Sequence, residues 1–593
     1  MKGEEPIKEA IHIMETRLGP NHHDMNFYLT NFSQIYILSK QYEKAEAPVL
    51  RLRDLMLLMI DNYFPGLSEE EKKAFYNNLL VPRLEAFYYF ATLRHKTKPA
   101  IASDFYNTRL ASKGLLFNSN NKIRQRISGS NNEQLKALFS QWQQLRNNLV
   151  RAYKMNVEEL KSENIDISKL EEEINKLEKD LSRQSELFAT DNDKNRYTWQ
   201  DVQNKLKKDE AAVEIIRYNT YRAYFTDTVN YVALIVTPTS SIPSMVLLEN
   251  GKELEGKFLN YYKNSIRSQQ PDQYSYDQFW RPIGDAIQKE GKIKTVYLSP
   301  DGVYNGININ TLQNPRTKKV LSDELMIRNV TTTKDLVTLR PNASSTSGIT
   351  LVGFPEYKKD MTETTPAKGT DKLDTLRLFA GGEITPLPAT EVEITTIAKL
   401  LGAKDFKVKE YSGAFASEET IKAMHSPRIL HVATHGFFLD KKGTTYGGFD
   451  AKKVAENPLL RSGLLLAGAQ ASLTATAAPK GEDGILTAYE AMGLALDSTE
   501  LVVLSACETG LGQISNGEGV YGLQRAFQTA GARNVLMSLW KVDDRATQEL
   551  MTLFYQQWLK TFNINKAFSA AQKEMRKKFK APYYWGAFVL VEK

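Results

Sequence analysis

Two residues of this chain carry side chains suited to nucleophilic chemistry, and they stand in matching local settings. Arg428-Ile429-Leu430-His431-Val432-Ala433-Thr434-His435-Gly436 is an apolar run that stops at a histidine and a glycine. Leu501-Val502-Val503-Leu504-Ser505-Ala506-Cys507-Glu508-Thr509-Gly510 is a second such run, stopping at the one cysteine of the chain. A thiolate is the attacking form of cysteine, and an imidazole that accepts its proton makes a thiol nucleophilic. Gly436 lets backbone approach a substrate carbonyl, and its N–H with that of Cys507 would form an oxyanion hole, worth roughly 3–4 kcal/mol per donor in other proteases. Taken singly, a cysteine at a strand end is more often an inert core residue. The joint appearance of the two runs raises the chemical reading. His431, inside its run, is expected to be a core histidine, since a zinc pair at that spacing relies on a helix to bring both rings to one face.

To meet, His435 and Cys507 need neighbouring strands of a mostly parallel sheet, whose carboxyl ends collect catalytic groups. From about residue 200 the chain supplies short β-rich runs at Ala212–Ile216, Tyr231–Thr237, Met245–Leu248, Thr295–Leu298 and Leu325–Val330. A second block has runs at Ile349–Phe354, Ile429–Ala433, Gly463–Ala467, Leu501–Leu504, Asn534–Ser538 and Gly586–Leu590, interrupted by a polar stretch from Lys358 to about Lys372. Helical segments between them predict an α/β fold. Upstream, Ala45, Val49, Leu52, Met56 and Met59 recur at helical spacing, and residues 1 to about 190 read as helix. Longer helices are expected over 68–95, 98–117, 132–160 and 167–187. The last, around Ser168–Lys179, reads as a solvated helix or a short coiled-coil hairpin. Loops at about Asp440–Asn457 and Ala469–Glu482 flank the catalytic strands and read either as gates or as disordered surface.

Bulk properties bound the function. With 593 residues the chain exceeds a single core. Its 42% hydrophobic and 25% charged residues are ordinary for a globular protein. A net charge of +7 is too diffuse for a dedicated nucleic-acid binder, so no direct DNA binding is expected. The sequence shows neither a signal-peptide core nor an apolar run able to span a bilayer, so a cytoplasmic protein without a membrane partner is expected. One cysteine permits no intramolecular disulfide and no cysteine-based zinc site.

Several stretches resemble the CHAT family, caspase-like domains usually coupled to tetratricopeptide repeats and related to caspases and separase. They are His431-Val432-Ala433-Thr434-His435-Gly436, Asp483-Gly484-Ile485-Leu486-Thr487-Ala488 and Leu504-Ser505-Ala506-Cys507-Glu508-Thr509-Gly510, then Gly517-Glu518-Gly519-Val520 with Gly522-Leu523. Ser538-Leu539-Trp540-Lys541-Val542-Asp543-Asp544 and Pro582-Tyr583-Tyr584-Trp585-Gly586-Ala587-Phe588 complete the set. The first 60 residues are similar to tetratricopeptide repeats of the kinesin light chain type. One helix ends in Leu18-Gly19-Pro20-Asn21-His22, a second runs from about Asp24 to Leu38, and Gln41-Tyr42-Glu43-Lys44-Ala45-Glu46 opens the next.

The resemblance implies four parts: repeats over 1–65, expected to end a longer array; a long-helix connector over 66–195; a degenerate caspase-like half over 196–345; and a catalytic half over 346–593. It implies a mostly parallel α/β sheet flanked by helices and preceded by an all-α region. It further implies a His435–Cys507 dyad that hydrolyses peptide bonds of a protein substrate through an acyl-enzyme, with no metal or organic cofactor. Gly436 and Cys507 would supply the oxyanion hole. The segment from Trp540 to Asp544 is similar to a separase stretch that walls the pocket of the residue before the cut. Asp543 or Asp544 would then pair with an arginine or lysine, unless one of them caps the helix beginning near Arg545. Asp483 is a further pocket candidate, although Gly484 beside it suits a plain turn. Glu508 either helps position the site or faces solvent. A regulatory protein or ribonucleoprotein would bind the repeats, in bacterial defence or programmed cell death as in other members of the family. The alternative is a catalytically silent adaptor in which Cys507 is dispensable. An esterase or transferase using Cys507 is a third reading and would need a closed small-molecule pocket.

Overall fold

The computed structural model describes residues 4–155, 157–186, 196–221, 225–248, 250–338, 348–359, 383–439, 457–474, 481–507 and 509–593. Glu508, most of the Lys358–Lys372 stretch, nearly all of Asp440–Asn457 and part of Ala469–Glu482 lie outside the described residues, and the second of these expected loops begins as helix Ala469–Thr474.

The N-terminal helices fall where their spacing puts them: Glu4–Leu18, Met25–Leu38 and Tyr42–Tyr63. Gly19, at φ +93°, ends the first in a conformation that suits a residue without Cβ. Ser68 and Glu71 form a reciprocal capping box that opens a helical run reaching His95. The single helix expected over 98–117 is two, Ile101–Ser112 and Leu115–Gly129. Gly114 breaks it at φ +61°, donating its N–H to Gly517 O at 2.8 Å, while the Lys113 side chain turns into the core. The helix expected over 132–160 ends at Lys154. It pairs with Ile167–Glu186 as a packed hairpin in which Ile174 and Leu181 are buried, so this pair is not simply solvated. Among the described residues no helix is long and apolar enough to cross a membrane.

Among the described residues the α/β part is built on sixteen strands. They are β1 Glu210–Tyr221, β2 Phe225–Val236, β3 Ser244–Leu248, β4 Thr295–Ser299, β5 Met326–Val330, β6 Gly348–Pro355, β7 Lys407–Gly413 and β8 Ile429–Ala433. The remainder are β9 His435–Phe438, β10 Ser462–Leu465, β11 Ile485–Thr487, β12 Leu501–Ser505, β13 Gln513–Ser515, β14 Gly519–Tyr521, β15 Asn534–Ser538 and β16 Phe588–Glu592. Eleven of them form one mostly parallel sheet in the order β3-β2-β1-β4-β5-β16-β15-β12-β8-β6-β7. The run at Gly463–Ala467 is a strand but lies elsewhere, in the small antiparallel sheet β11-β10-β9. The two expected halves share the large sheet. They join where β5 runs parallel to β16, with Val591 opposite Asn329, and Asn308 Nδ2 donates to Gly586 O at 2.7 Å across the joint.

The N-terminal helices form one layer of the first half. Ala212, Ile216 and Tyr218 of β1 share a core with Phe87, Tyr88, Phe105 and Leu110 of the helical region. Val213 and Ile215 face the opposite layer, against Phe279, Trp280 and Ile283. Glu214 stands among the first set, fully buried. It accepts from Lys113 Nζ at 3.3 Å, Ser299 Oγ at 2.7 Å and Thr333 N at 2.6 Å, with Arg109 Nε 3.8 Å away. Burial alone would raise its pKa, but Lys113 and Arg109 together hold it below its ordinary value. Arg109 also binds Asp301 at 2.8 Å. Replacing Arg109 by methionine leaves two buried carboxylates short of a cation. Arg109→Met is therefore expected to cost about 3–5 kcal/mol in urea unfolding, and a loss under about 1 kcal/mol would refute this accounting.

Candidate active site

β8 and β12 are adjacent and parallel, and Ala433 stands opposite Ser505. His435 and Cys507 each follow by two residues, so the register delivers both to the same edge of the sheet. All five residues of each strand are buried, which explains the unbroken apolar runs that mark them in sequence.

Past its strand, the cysteine segment is pinned to the end of β15. Ser538 Oγ donates to Ala506 O at 2.6 Å, Ser538 N–H to Thr509 Oγ1 at 3.1 Å, and Gly510 N–H to Ser538 O at 2.7 Å. On the histidine side, a Cβ built on Gly436 would lie 2.7 Å from Cys507 O and 2.8 Å from Thr509 Cγ2. Only glycine lets β9 and the cysteine loop approach this closely. His431 takes the core role: its Nε2 is 2.8 Å from Glu393 Oε1 and its Nδ1 3.2 Å from the Tyr555 hydroxyl.

The imidazole of His435 is oriented by a backbone group. Its Nε2 lies 2.7 Å from the carbonyl oxygen of Thr385. A carbonyl only accepts, so Nε2 carries the proton of the neutral ring and Nδ1 is the basic nitrogen. Burial lowers the His435 pKa, opposed by the Thr385 carbonyl and the negative charge of Asp544 and assisted by Lys541. The ring is thus held neutral, as a base for a thiol must be.

The pocket candidates separate. Asp543 is the N-cap of helix Asp544–Thr561, its Oδ1 accepting from Ala546 N at 2.9 Å. The capping alternative therefore holds for Asp543. Asp544, in the first turn, has its pKa raised by partial burial, and His435 is the largest influence pulling it down. Trp540 gives its indole N–H to Tyr583 O at 3.1 Å and meets Tyr262 of the first half edge-on, ring centres 6.4 Å apart. Asp483 is buried and accepts from Ile485 N at 3.0 Å beside Gly484 at φ +74°, which is the plain-turn role. Glu508 lies outside the described residues. Sequence reasoning missed Thr385, because a carbonyl that any residue can supply leaves no trace in residue type. It also missed Tyr583, whose hydroxyl is raised by burial and by the nearby charges of Asp543 and Cys507. Elsewhere Glu418, Glu482 and Glu490 converge, with the Lys422 ammonium 2.8, 2.6 and 3.3 Å from them. That cluster carries its own cation.

The CHAT domain family profile matches residues 273–593, more than half of the chain. Tetratricopeptide repeat protein 28 of Mus musculus is 27% identical over 216 residues, and that of Homo sapiens 26%, in each case over 35% of this chain. The chain spans 8% of the length of these relatives. Among solved structures, the Arg-specific cysteine proteinase gingipain R is 10% identical with a TM-score of 0.32, covering 58% of this chain and 75% of its own. Gingipain RgpB is from Porphyromonas gingivalis. The Saccharomyces cerevisiae separase–securin complex is also 10% identical, with a TM-score of 0.33, covering 96% of this chain and 50% of its own.

The environment of His435 fixes a sign. Its titration is expected below 6.5. In Asp544→Asn, loss of a charge that favours the imidazolium lowers it further. Histidine 13Cε1 NMR titration reads both, and an upward move in the variant would contradict the influence of Asp544 on the imidazole.

Proposed function

Because the chain belongs to the CHAT domain family, we propose that it is a caspase-like cysteine endopeptidase with Cys507 as nucleophile and His435 as base. The observation that carries this is the register: two reactive side chains at equal depth past neighbouring parallel strands, with the imidazole tautomer set by Thr385 O. In the reaction His435 Nδ1 takes the Cys507 thiol proton as Sγ bonds to the scissile carbonyl carbon. The negative oxygen faces the N–H groups of Gly436 and Cys507. His435 then protonates the leaving amine, and water, deprotonated by the same ring, releases the acid from the thioester. The dyad and the two backbone N–H donors need no metal or organic cofactor.

Asp544 is the residue we assign to an arginine or lysine before the cut. Asp543 already satisfies a helix terminus, whereas Asp544 caps nothing in the hydrogen bonds of that helix start and interacts electrostatically with His435. Trp540 and Tyr583 would wall that pocket.

Control by a protein or ribonucleoprotein bound to the repeats has a physical route. The β13–β14 hairpin follows the cysteine loop, and the helical region grips its tip. Tyr76 Oη donates to Asn516 O at 3.2 Å, Gly114 N–H to Gly517 O at 2.8 Å and Leu116 N–H to Glu518 Oε1 at 3.0 Å. A shift of the helices reaches the nucleophile through few residues. A role in bacterial defence or programmed cell death is the family context in which such control is proposed.

Peptide-library cleavage tests the assignment. Cutting after arginine or lysine that disappears in Cys507→Ala is the expected result. Asp544→Asn is expected to lower kcat/KM for those peptides by roughly ten- to hundredfold, the scale of one charge-assisted hydrogen bond. Cleavage that persists in Cys507→Ala would overturn the dyad.

A further inference from the structure

The backbone carbonyl that holds His435 is itself held, by side chains that no catalytic role has yet claimed. Ile384, the residue before Thr385, donates its N–H to Gln470 Oε1 at 2.6 Å, and its side chain is buried. Gln470 in turn donates its backbone N–H to Tyr357 O at 2.9 Å. The Tyr357 hydroxyl lies 2.9 Å from Thr434 Oγ1. Thr434 gives its single hydroxyl proton to Leu465 O, so Tyr357 is the donor to Thr434. The Tyr357 ring centre also stands 5.5 Å from the imidazole of His435.

These contacts close a circuit through four separate chain segments: Tyr357 after β6, Ile384-Thr385 before helix Pro388–Gly402, Thr434-His435 where β8 passes into β9, and Gln470 in helix Ala469–Thr474. The circuit encloses an apolar filling of Tyr357, Ile384, Phe437, Leu465, Ala469 and Ile485. Burial pushes the Tyr357 phenol up to about 12, so it keeps the proton it donates throughout the range in which an imidazole titrates.

We infer that Gln470 and Tyr357 are positioning residues for the dyad, Gln470 aiming the Thr385 carbonyl at His435 Nε2 and Tyr357 fixing the backbone from which the ring projects. The inference rests on the endopeptidase reading of Cys507 and His435. It deepens that reading because a base oriented by a carbonyl is only as well placed as the carbonyl. The Ile384-Thr385 segment has no strand partners of its own among the described residues, and Gln470 supplies the side-chain anchor. Losing that anchor frees Thr385 to turn and Nδ1 to leave the thiol. Misplacement on that scale costs roughly ten- to hundredfold in rate.

The test uses the full chain and the fact that Cys507 is its one cysteine. Alkylation by iodoacetamide, followed by intact mass, then reports on that thiol alone. Gln470→Leu and Tyr357→Phe are expected to lower kcat about ten- to hundredfold with KM little changed. Their pH profiles of alkylation should move towards that of His435→Ala. Gln470→Glu, which keeps an acceptor oxygen, should recover most of kcat. Equal losses in Gln470→Leu and Gln470→Glu, or a change confined to KM, would overturn the inference. If wild type and His435→Ala alkylate alike at every pH, the dyad itself fails. If those two differ while both folded positioning variants track wild type, the dyad stands and this inference fails alone. Should Gln470→Leu lose its melting transition, Tyr357→Phe, which removes one oxygen, decides the matter.

Discussion

A carboxylate buried on the face of a sheet, as Glu214 is on β1, is tolerable only where cations and hydrogen-bond donors reach it. Here the cations, Arg109 and Lys113, come from the N-terminal helices, and the remaining donors from Ser299 and the Thr332–Thr333 turn. Around this contact the helices replace the layer that would otherwise cover the first half of the sheet, so the apolar faces of β1, β2 and β4 are shared with them. The helical region is therefore a structural member of the α/β part and not an appendage on a linker. Arg109 extends the same contact to Asp301, and Asp301 accepts the N–H of Gly517 in the hairpin beyond Cys507.

From that junction the structure runs continuously to the sheet edge that carries His435 and Cys507. β16 inserts between β5 and β15, giving both halves one hydrogen-bonded sheet. Trp540 packs against residues from the cores of both halves. The reactive residues lie at the far side of this frame, each one turn beyond a fully buried strand. Their scaffold is rigid where it must aim a side chain, and the segments that touch them directly, at Thr385 and in the cysteine loop, are short irregular stretches tied down by individual hydrogen bonds.

The parts legible in the sequence are those that burial on both faces writes as unbroken apolar runs. β8 and β15 fall on their expected residues, and β12 differs by one. His435 and Cys507 stand out in the sequence because each such run ends in a chemically reactive residue beside small ones. Short or polar strands were not legible: Lys407-Val408-Lys409-Glu410 gives no apolar signal, and β9, β11, β13 and β14 span only three or four residues each. The break at Gly114 escaped because it depends on Lys113 reaching Glu214 and on Gly517 across the chain, contacts without local periodicity. Asp543 and Asp544 could not be told apart in sequence, since capping and pocket roles ask for the same side chain. The circuit of Tyr357, Ile384, Gln470 and Thr434 is carried partly by backbone groups, and no spacing rule announces it.

β7 lies at one margin of the large sheet, with β6 as its one partner. An open strand edge is a template on which another chain can build, and in a sheet this wide it would seed edge-to-edge aggregation. Lys407, Lys409 and Glu410 are all exposed there, and their charges make the addition of a further strand unfavourable. The polarity that hid β7 from view in the sequence is what keeps this margin of the sheet from recruiting its neighbours in a crowded solution.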